Sequence, residues 1–294
     1  DADLIFWIGE DLEAFLEKPI ETIGGNAKAV ELAHAHDLVT LGFREGGAFE
    51  EHVHGDESEH AEHDHDHEEE HAEHDHDHDD HDHEEHAEDD HDDHDHEEHA
   101  EHDHDDHDHE DHDGHEHAEH HHGEFDMHLW LDPQNAKAMA HEIAEALAEA
   151  DPDNAELYKA NAESLEERLD ALTAEIDEKL APVKDQGFIV FHDAYQYFEH
   201  RFGMQAAGSI TISPEVMPGA DRLREVQDKV REIGAACVFA EPQFEPKLIS
   251  VVTEGSEAKS GVLDPLGAGI EAGPELYFEL MHNMADSFVS CLKG

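Results

Sequence analysis

Three short phrases place metal-ligating side chains at or just after apolar runs. His192 closes "FIVFH", His128 lies in "FDMHLWLDP", and Asp264 follows "SGVL"; Glu241 in "CVFAEP" holds the same kind of position. Taken singly, each is explained as a hydrogen-bonded polar group at the end of a strand. Taken together they suggest more, because open parallel sheets bind ligands beyond the carboxyl ends of their strands. Two imidazoles and a carboxylate at equivalent strand ends can converge on one cleft. That donor set suits zinc, whereas a manganese site leans more on oxygen. Covalent and hydrolytic chemistry finds little support. GxSxG and P-loop patterns are absent, and Ser209 and Ser213 lack a supporting motif. A zinc hydrolase needs an open coordination position and a general base, and Glu241 is a nominee for that base without a motif behind it. The chain is expected not to be an enzyme.

A second population of ligating groups is far denser. Between Glu50 and Glu124 there is no Lys or Arg, and 38 of the 80 acidic residues and 27 of the 34 histidines fall there. The stretch "HAEHDHDHDDHDHEEHAE" supplies His71, His74, His76, His78, His81 and His83, and His120, His121 and His122 follow in a row near its end. "EHAE" recurs from Glu59, Glu70, Glu85, Glu98 and Glu116 without a fixed period, so this is no solenoid. With nothing apolar to bury, the segment cannot offset its ordering entropy and is expected to be disordered without metal. It reads as an accessory collector of metal ions.

The net charge of -64 excludes a basic surface able to neutralise phosphates, and with it nucleic acid. It also disfavours anionic membranes and favours cations as partners. No apolar run reaches the roughly 18 residues of a bilayer span. No signal peptide is present, and the chain opens directly on "DADLIFWIGEDLEAFL", so it is expected to start inside a domain.

The elements that must position these residues alternate. "ADLIFWIG" reads as a buried parallel strand. "EDLEAFLEKPI" reads as a helix with Leu12, Phe15 and Leu16 on its face, stopped at Pro19. "KAVELAHAHDLVTLG" is ambiguous, and "EFDMHLWLDP" is strand-like. Asp132 is an N-cap with Pro133 at the first helical position. About 27 residues of helical pattern follow Asp153, with a stripe of Leu157, Leu165, Leu169, Leu172, Ile176 and Leu180. Beyond them strand and helix patterns alternate to the end, which means βα units and a parallel sheet. His34 and His36 are surface candidates, and His141, His200 and His282 fall on solvated helix faces. Cys237 and Cys291 are either two buried free thiols or one disulfide.

"HHHGEFDMHLWLDP", "FIVFHDAYQYFEHRFG", "ISPEVMPGADRL", "CVFAEPQFEP", "LDPLG" and "SCLKG" together closely resemble the periplasmic zinc-binding protein of bacterial high-affinity zinc ABC importers. The resemblance covers the chain in motif order, and the acidic His-rich insertion before "MHLWL" is a hallmark of the zinc members. It implies an α/β fold with two parallel-sheet lobes bridged by a long rigid α-helix. On this chain that is a first lobe at 1–49 and 124–153, a disordered insertion at 50–123, a linking helix at 154–182 and a second lobe at 183–294. It implies Zn²⁺ in an interlobe cleft, with His128 and His192 as ligands and Asp264 as a ligand in manganese-type relatives that lies near the metal in zinc ones. A further histidine from the family's first βα loop finds no match here, and the zinc affinity of this chain alone is expected to be lower than that of a complete protein. The resemblance implies a disulfide from Cys237 in the last sheet strand to Cys291 in the C-terminal helix. It also implies a monomer in the periplasm that is not an integral membrane protein and delivers zinc to an inner-membrane ABC permease. Affinity should fall as pH drops through about 6.5, where imidazole ordinarily protonates. A metal buffer acting mainly through the insertion, and a manganese-specific member, are the alternatives.

Overall fold

Apolar runs of four or five residues alternate with amphipathic stretches, and the chain folds accordingly. The computed structural model describes residues 2–25, 27–44, 48–49, 125–211, 217–244 and 247–293. The accessory histidines His71, His74, His76, His78, His81, His83, His120, His121 and His122, and the expectation of disorder around them, lie outside the described residues.

The first strands are β1 (Leu4–Trp7) and β2 (Lys28–Glu31), with α1 (Glu10–Ile23) between them. They pair in parallel, Leu4 opposite Lys28 and Trp7 opposite Glu31. Helix α1 departs from expectation twice. It runs through Pro19 to Ile23, with its one non-helical residue at Glu13, whose carboxylate turns back to accept the Ile8 amide at 2.6 Å. Its apolar face is also uncovered, with no residue of α1 buried and Phe15 73% exposed.

The middle of the chain is helical. α2 (Pro133–Ala150) starts at Asp132, whose carboxylate accepts the Gln134 amide at 2.8 Å, so the expected cap is formed. α3 (Ala155–Leu180) has 26 residues, about 39 Å of helix. Leu169, Leu172, Ile176 and Leu180 are buried along it, while Leu157 drops out of the stripe at 56% exposure. α3 lies along α2 and α7 (Leu276–Leu292), so it is packed on two sides rather than standing free.

The last third alternates as read: β3 (Phe188–His192), α4 (Gln196–Phe202), β4 (Ser209–Thr211), α5 (Ala220–Ile233), β5 (Cys237–Ala240), α6 (Lys247–Thr253) and β6 (Lys259–Val262), then α7. The four strands form one parallel sheet in the order β4-β3-β5-β6. Alternate residues serve opposite faces. Phe188, Val190, Cys237 and Phe239 join one core, while Ile189, Phe191 and Val238 join Val226, Val230, Ile249 and Val252 in a smaller one. The larger core also takes in Val30, Leu32, Leu129, Leu131 and the buried stripe of α3, so it runs from the two-stranded sheet to the four-stranded one.

Cys237 and Cys291 form a disulfide that ties β5 to α7. The tie is to an interior strand, not the last one, since β6 lies beyond β5. Gly261 of β6 makes room for it, because a Cβ there would meet the Phe239 ring at 2.6 Å and Cys291 Sγ at 3.1 Å. No helix among the described residues is long and apolar enough to cross a membrane.

Candidate metal centre

His192 is the last residue of a strand buried along its whole length, so the backbone delivers its ring at the carboxyl end of the sheet. β5 is its neighbour, and Glu241 follows the end of β5. The Nδ1 of His192 and Oε1 of Glu241 are 2.6 Å apart, and Glu241 is 3% exposed. A carboxylate offers only acceptors, so the imidazole carries its proton on Nδ1 and leaves Nε2 as a free lone pair. Tyr195 lies close by, its hydroxyl donating to the carbonyl of Leu263 at 3.5 Å, and burial together with the nearby Glu241 carboxylate pushes its phenol well above the ordinary range.

His128 is presented differently. The strand expected across "EFDMHLWLDP" is not formed. Phe125 makes a single antiparallel bridge to Gly42, and Leu129–Leu131 closes a 3-10 turn. The reason is Asp126, whose Oδ1 accepts the backbone N–H of His128 at 3.0 Å, a local turn that competes with a strand ladder. The same Oδ1 accepts Nδ1 of His128 at 2.7 Å, which fixes the same tautomer as in His192. Trp130 backs this ring at 5.4 Å between centroids, and its indole N–H donates to the carbonyl of Pro265 at 2.9 Å.

The two rings thus converge with their Nε2 atoms 3.4 Å apart. Four-coordinate zinc with metal–nitrogen bonds of about 2.0–2.1 Å sets two ligand nitrogens roughly 3.3–3.4 Å apart, so this spacing is an edge of such a tetrahedron. Two lone pairs facing each other at that distance repel unless a cation lies between them. The His128 side chain is 22% exposed against 8% for His192, so the approach is from the His128 side.

Asp264 is engaged otherwise. Its Oδ1 accepts the amides of Leu266 and Gly267 at 3.1 and 3.0 Å and the Gln243 amide group at 3.2 Å, and its Oδ2 accepts the amide of Ala268 at 2.7 Å. Gly267 takes the left-handed backbone (φ +69°) that this tight turn requires. Among the described residues no three His, Cys, Asp or Glu side chains are gathered to hold a metal ion. The structure brings His128 and His192 together, with Glu241 as an orienting partner rather than a base, and leaves Asp264 in its own turn. His34 and His36 are exposed, as are His141 and His200, and His282 faces Glu175 at 3.6 Å. Asp126 went unread in the sequence, although an acid two residues before a histidine is the spacing of such a turn.

A family model described as "Zinc-uptake complex component A periplasmic" matches residues 1–291. The chain belongs to this family. It is 51% identical over 291 residues to the high-affinity zinc uptake system protein ZnuA of Brucella abortus (strain 2308), covering 99% of this chain and 77% of the relative. The corresponding protein of Yersinia pestis is 35% identical over 294 residues, covering 99% and 76%. Among solved structures, a mutant laminin-binding adhesin (Lmb) of Streptococcus agalactiae aligns with a TM-score of 0.65 at 21% identity, over 99% of this chain and 81% of that one. A crystal structure of ZnuA aligns with a TM-score of 0.63 at 20% identity, over 99% and 80%. At these identities the two structures carry the fold alone. They agree with the parallel-sheet α/β architecture described above.

Proposed function

We propose that this chain captures Zn²⁺ between His128 and His192 and hands it to an ABC permease for zinc uptake. The observation that carries the reading is the pair of Nε2 atoms at 3.4 Å, each freed by a carboxylate on Nδ1. Zinc is the cargo. Two imidazole nitrogens with orienting carboxylates favour it over manganese. They fill two positions of a four-coordinate site. Asp264 can enter a third only by releasing the hydrogen bonds of its turn, so its place in the proposal is that of a carboxylate beside the metal. The insertion, with its many histidines and acids, collects zinc by charge and weak ligation ahead of the cleft. The setting proposed is the periplasm, with a monomer that docks on the membrane protein and releases the ion there. The two lobes are proposed to divide as 1–49 with 124–153 and 183–294, joined by the helix at 154–182.

Competition titration against a chelator tests this. His128→Ala and His192→Ala should each abolish the tightest zinc site, and deletion of residues 50–123 should leave it. Loss of all tight binding on that deletion, with both histidine variants unaffected, would replace capture in the cleft by buffering through the insertion.

A further inference from the structure

The two zinc-facing histidines sit on different parts of the chain, and one short segment touches the carriers of both. Val39 donates its amide to Asn135 Oδ1 at 2.8 Å, and Asn135 Nδ2 donates in return to the carbonyls of Val39 and Leu129 at 3.0 and 3.1 Å. Leu41 accepts the amide of Asp126 at 2.9 Å, and Gly42 bridges Phe125. These contacts hold the side on which Asp126 grips His128.

The other side is held by Arg44. Its Nε donates to Asp193 Oδ2 at 3.0 Å and its Nη2 to Asp193 Oδ1, so the guanidinium grips Asp193 with two parallel bonds. Nη1 and Nη2 donate to Glu199 at 2.7 and 3.1 Å. Asp193 is the residue directly after His192. Tyr197 closes the circuit from α4, accepting the Leu41 amide at 3.0 Å and donating to the Asp126 carbonyl at 2.6 Å. Arg44 and Asp193 are half-buried, Asp126 and Tyr197 are buried, and Glu199 is 2% exposed.

We propose that Val39–Arg44 is a strap that sets the spacing of His128 and His192, and that Arg44 is a positioning residue for the zinc pair. The inference rests on the zinc reading above. A strap bonded to Asp126 at one end and Asp193 at the other fixes the backbone on both sides of the 3.4 Å gap. Supporting groups of this kind hold ligands within the narrow tolerance that metal binding needs. Losing them typically costs 10–100-fold in metal affinity.

The test is zinc affinity of the full-length chain by chelator competition, with the metal-free melting temperature taken on each variant. Arg44→Gln should weaken the tightest site about ten-fold or more, and Arg44→Lys, which keeps the charge but not the fork, should fall between it and the parent. Should Arg44→Gln fail to fold, Asp193→Asn and Glu199→Gln decide. A strap predicts that Asp193→Asn loses more zinc affinity than Glu199→Gln, because Asp193 adjoins His192. A purely structural role predicts that zinc loss follows loss of melting temperature, which is greatest for the more buried Glu199. That second order, or an Arg44→Gln chain within two-fold of the parent, overturns the inference. His128→Ala runs alongside. If it keeps the parent's tight site, the zinc reading itself is wrong; if it loses the site while the strap variants do not, only the strap is.

Discussion

His128 and His192 meet Nε2 to Nε2 at 3.4 Å although 64 residues separate them in the chain. One arrives from a buried strand, the other from a 3-10 turn, and each is steadied by a carboxylate through Nδ1.

Those carboxylates should matter nearly as much as the rings. Asp126→Asn and Glu241→Gln replace an acceptor-only carboxylate with a neutral amide that can also turn its NH2 to the ring and favour the other tautomer, and each should weaken zinc binding by roughly 10–100-fold. The measurement is competition titration on chains whose circular dichroism matches the parent. Unchanged affinity in both would mean that the rings hold their orientation without these partners.

Removing the disulfide should destabilise without touching the site. Cys237 and Cys291 are 54 residues apart, and the double alanine variant should lose about 2–4 kcal/mol. Denaturant titration under non-reducing conditions reads the loss, and an unshifted midpoint would show that packing of α7 on the sheet already suffices.

Asp132 is fully buried, caps α2 and accepts Nε and Nη2 of Arg201 at 2.6 and 2.8 Å. Asp132→Ala loses the cap and leaves the guanidinium without its partner. The expected cost is about 2–4 kcal/mol, seen as a fall in thermal midpoint. Asp132→Asn, which can still cap, should recover part of it.

Alkaline pH offers a separate check. Burial raises the phenols of Tyr195 and Tyr277, and pushes that of Tyr197 up to about 12, against roughly 10 in an unfolded chain. A group with a raised folded-state value binds its proton more tightly when folded. Its contribution to stability is therefore intact below pH 10 and is lost as pH rises towards 12. Ultraviolet titration should show the phenolates of Tyr195 and Tyr277 appearing only with unfolding, and that of Tyr197 only as pH approaches 12. Reversible ionisation near pH 10 in a folded chain, of any phenol other than the half-exposed Tyr158, would contradict the burial.

Much of this could be read from residue order alone. Four apolar residues before His192 announced a buried strand with a polar end, and the spacing of the later strands gave the parallel sheet. The parts that misled are local competitions. "EFDMHLWLDP" has strand-like composition, but Asp126 bonds its neighbour's amide and the ladder never forms. Asp264 is a separate matter: its place beside the metal stays a proposal, and in this structure its oxygens accept the amides of the turn that follows. The apolar face of α1 promised burial, but the described chain brings no element over Phe15. Arg44 gave no signal at all, because its partners lie 149 and 155 residues away.

The shared core has one more consequence. Val30 and Leu32 belong to the same apolar cluster as Phe188, Phe239 and Phe288, with the long helix between them. Among the described residues the two-stranded sheet has no core of its own to fall back on, and the smaller core of the four-stranded sheet is built on the same strands that close the shared one. Heating should therefore produce one calorimetric peak, with the van 't Hoff and calorimetric enthalpies in agreement. In their thermodynamics the two described sheets should behave as a single body.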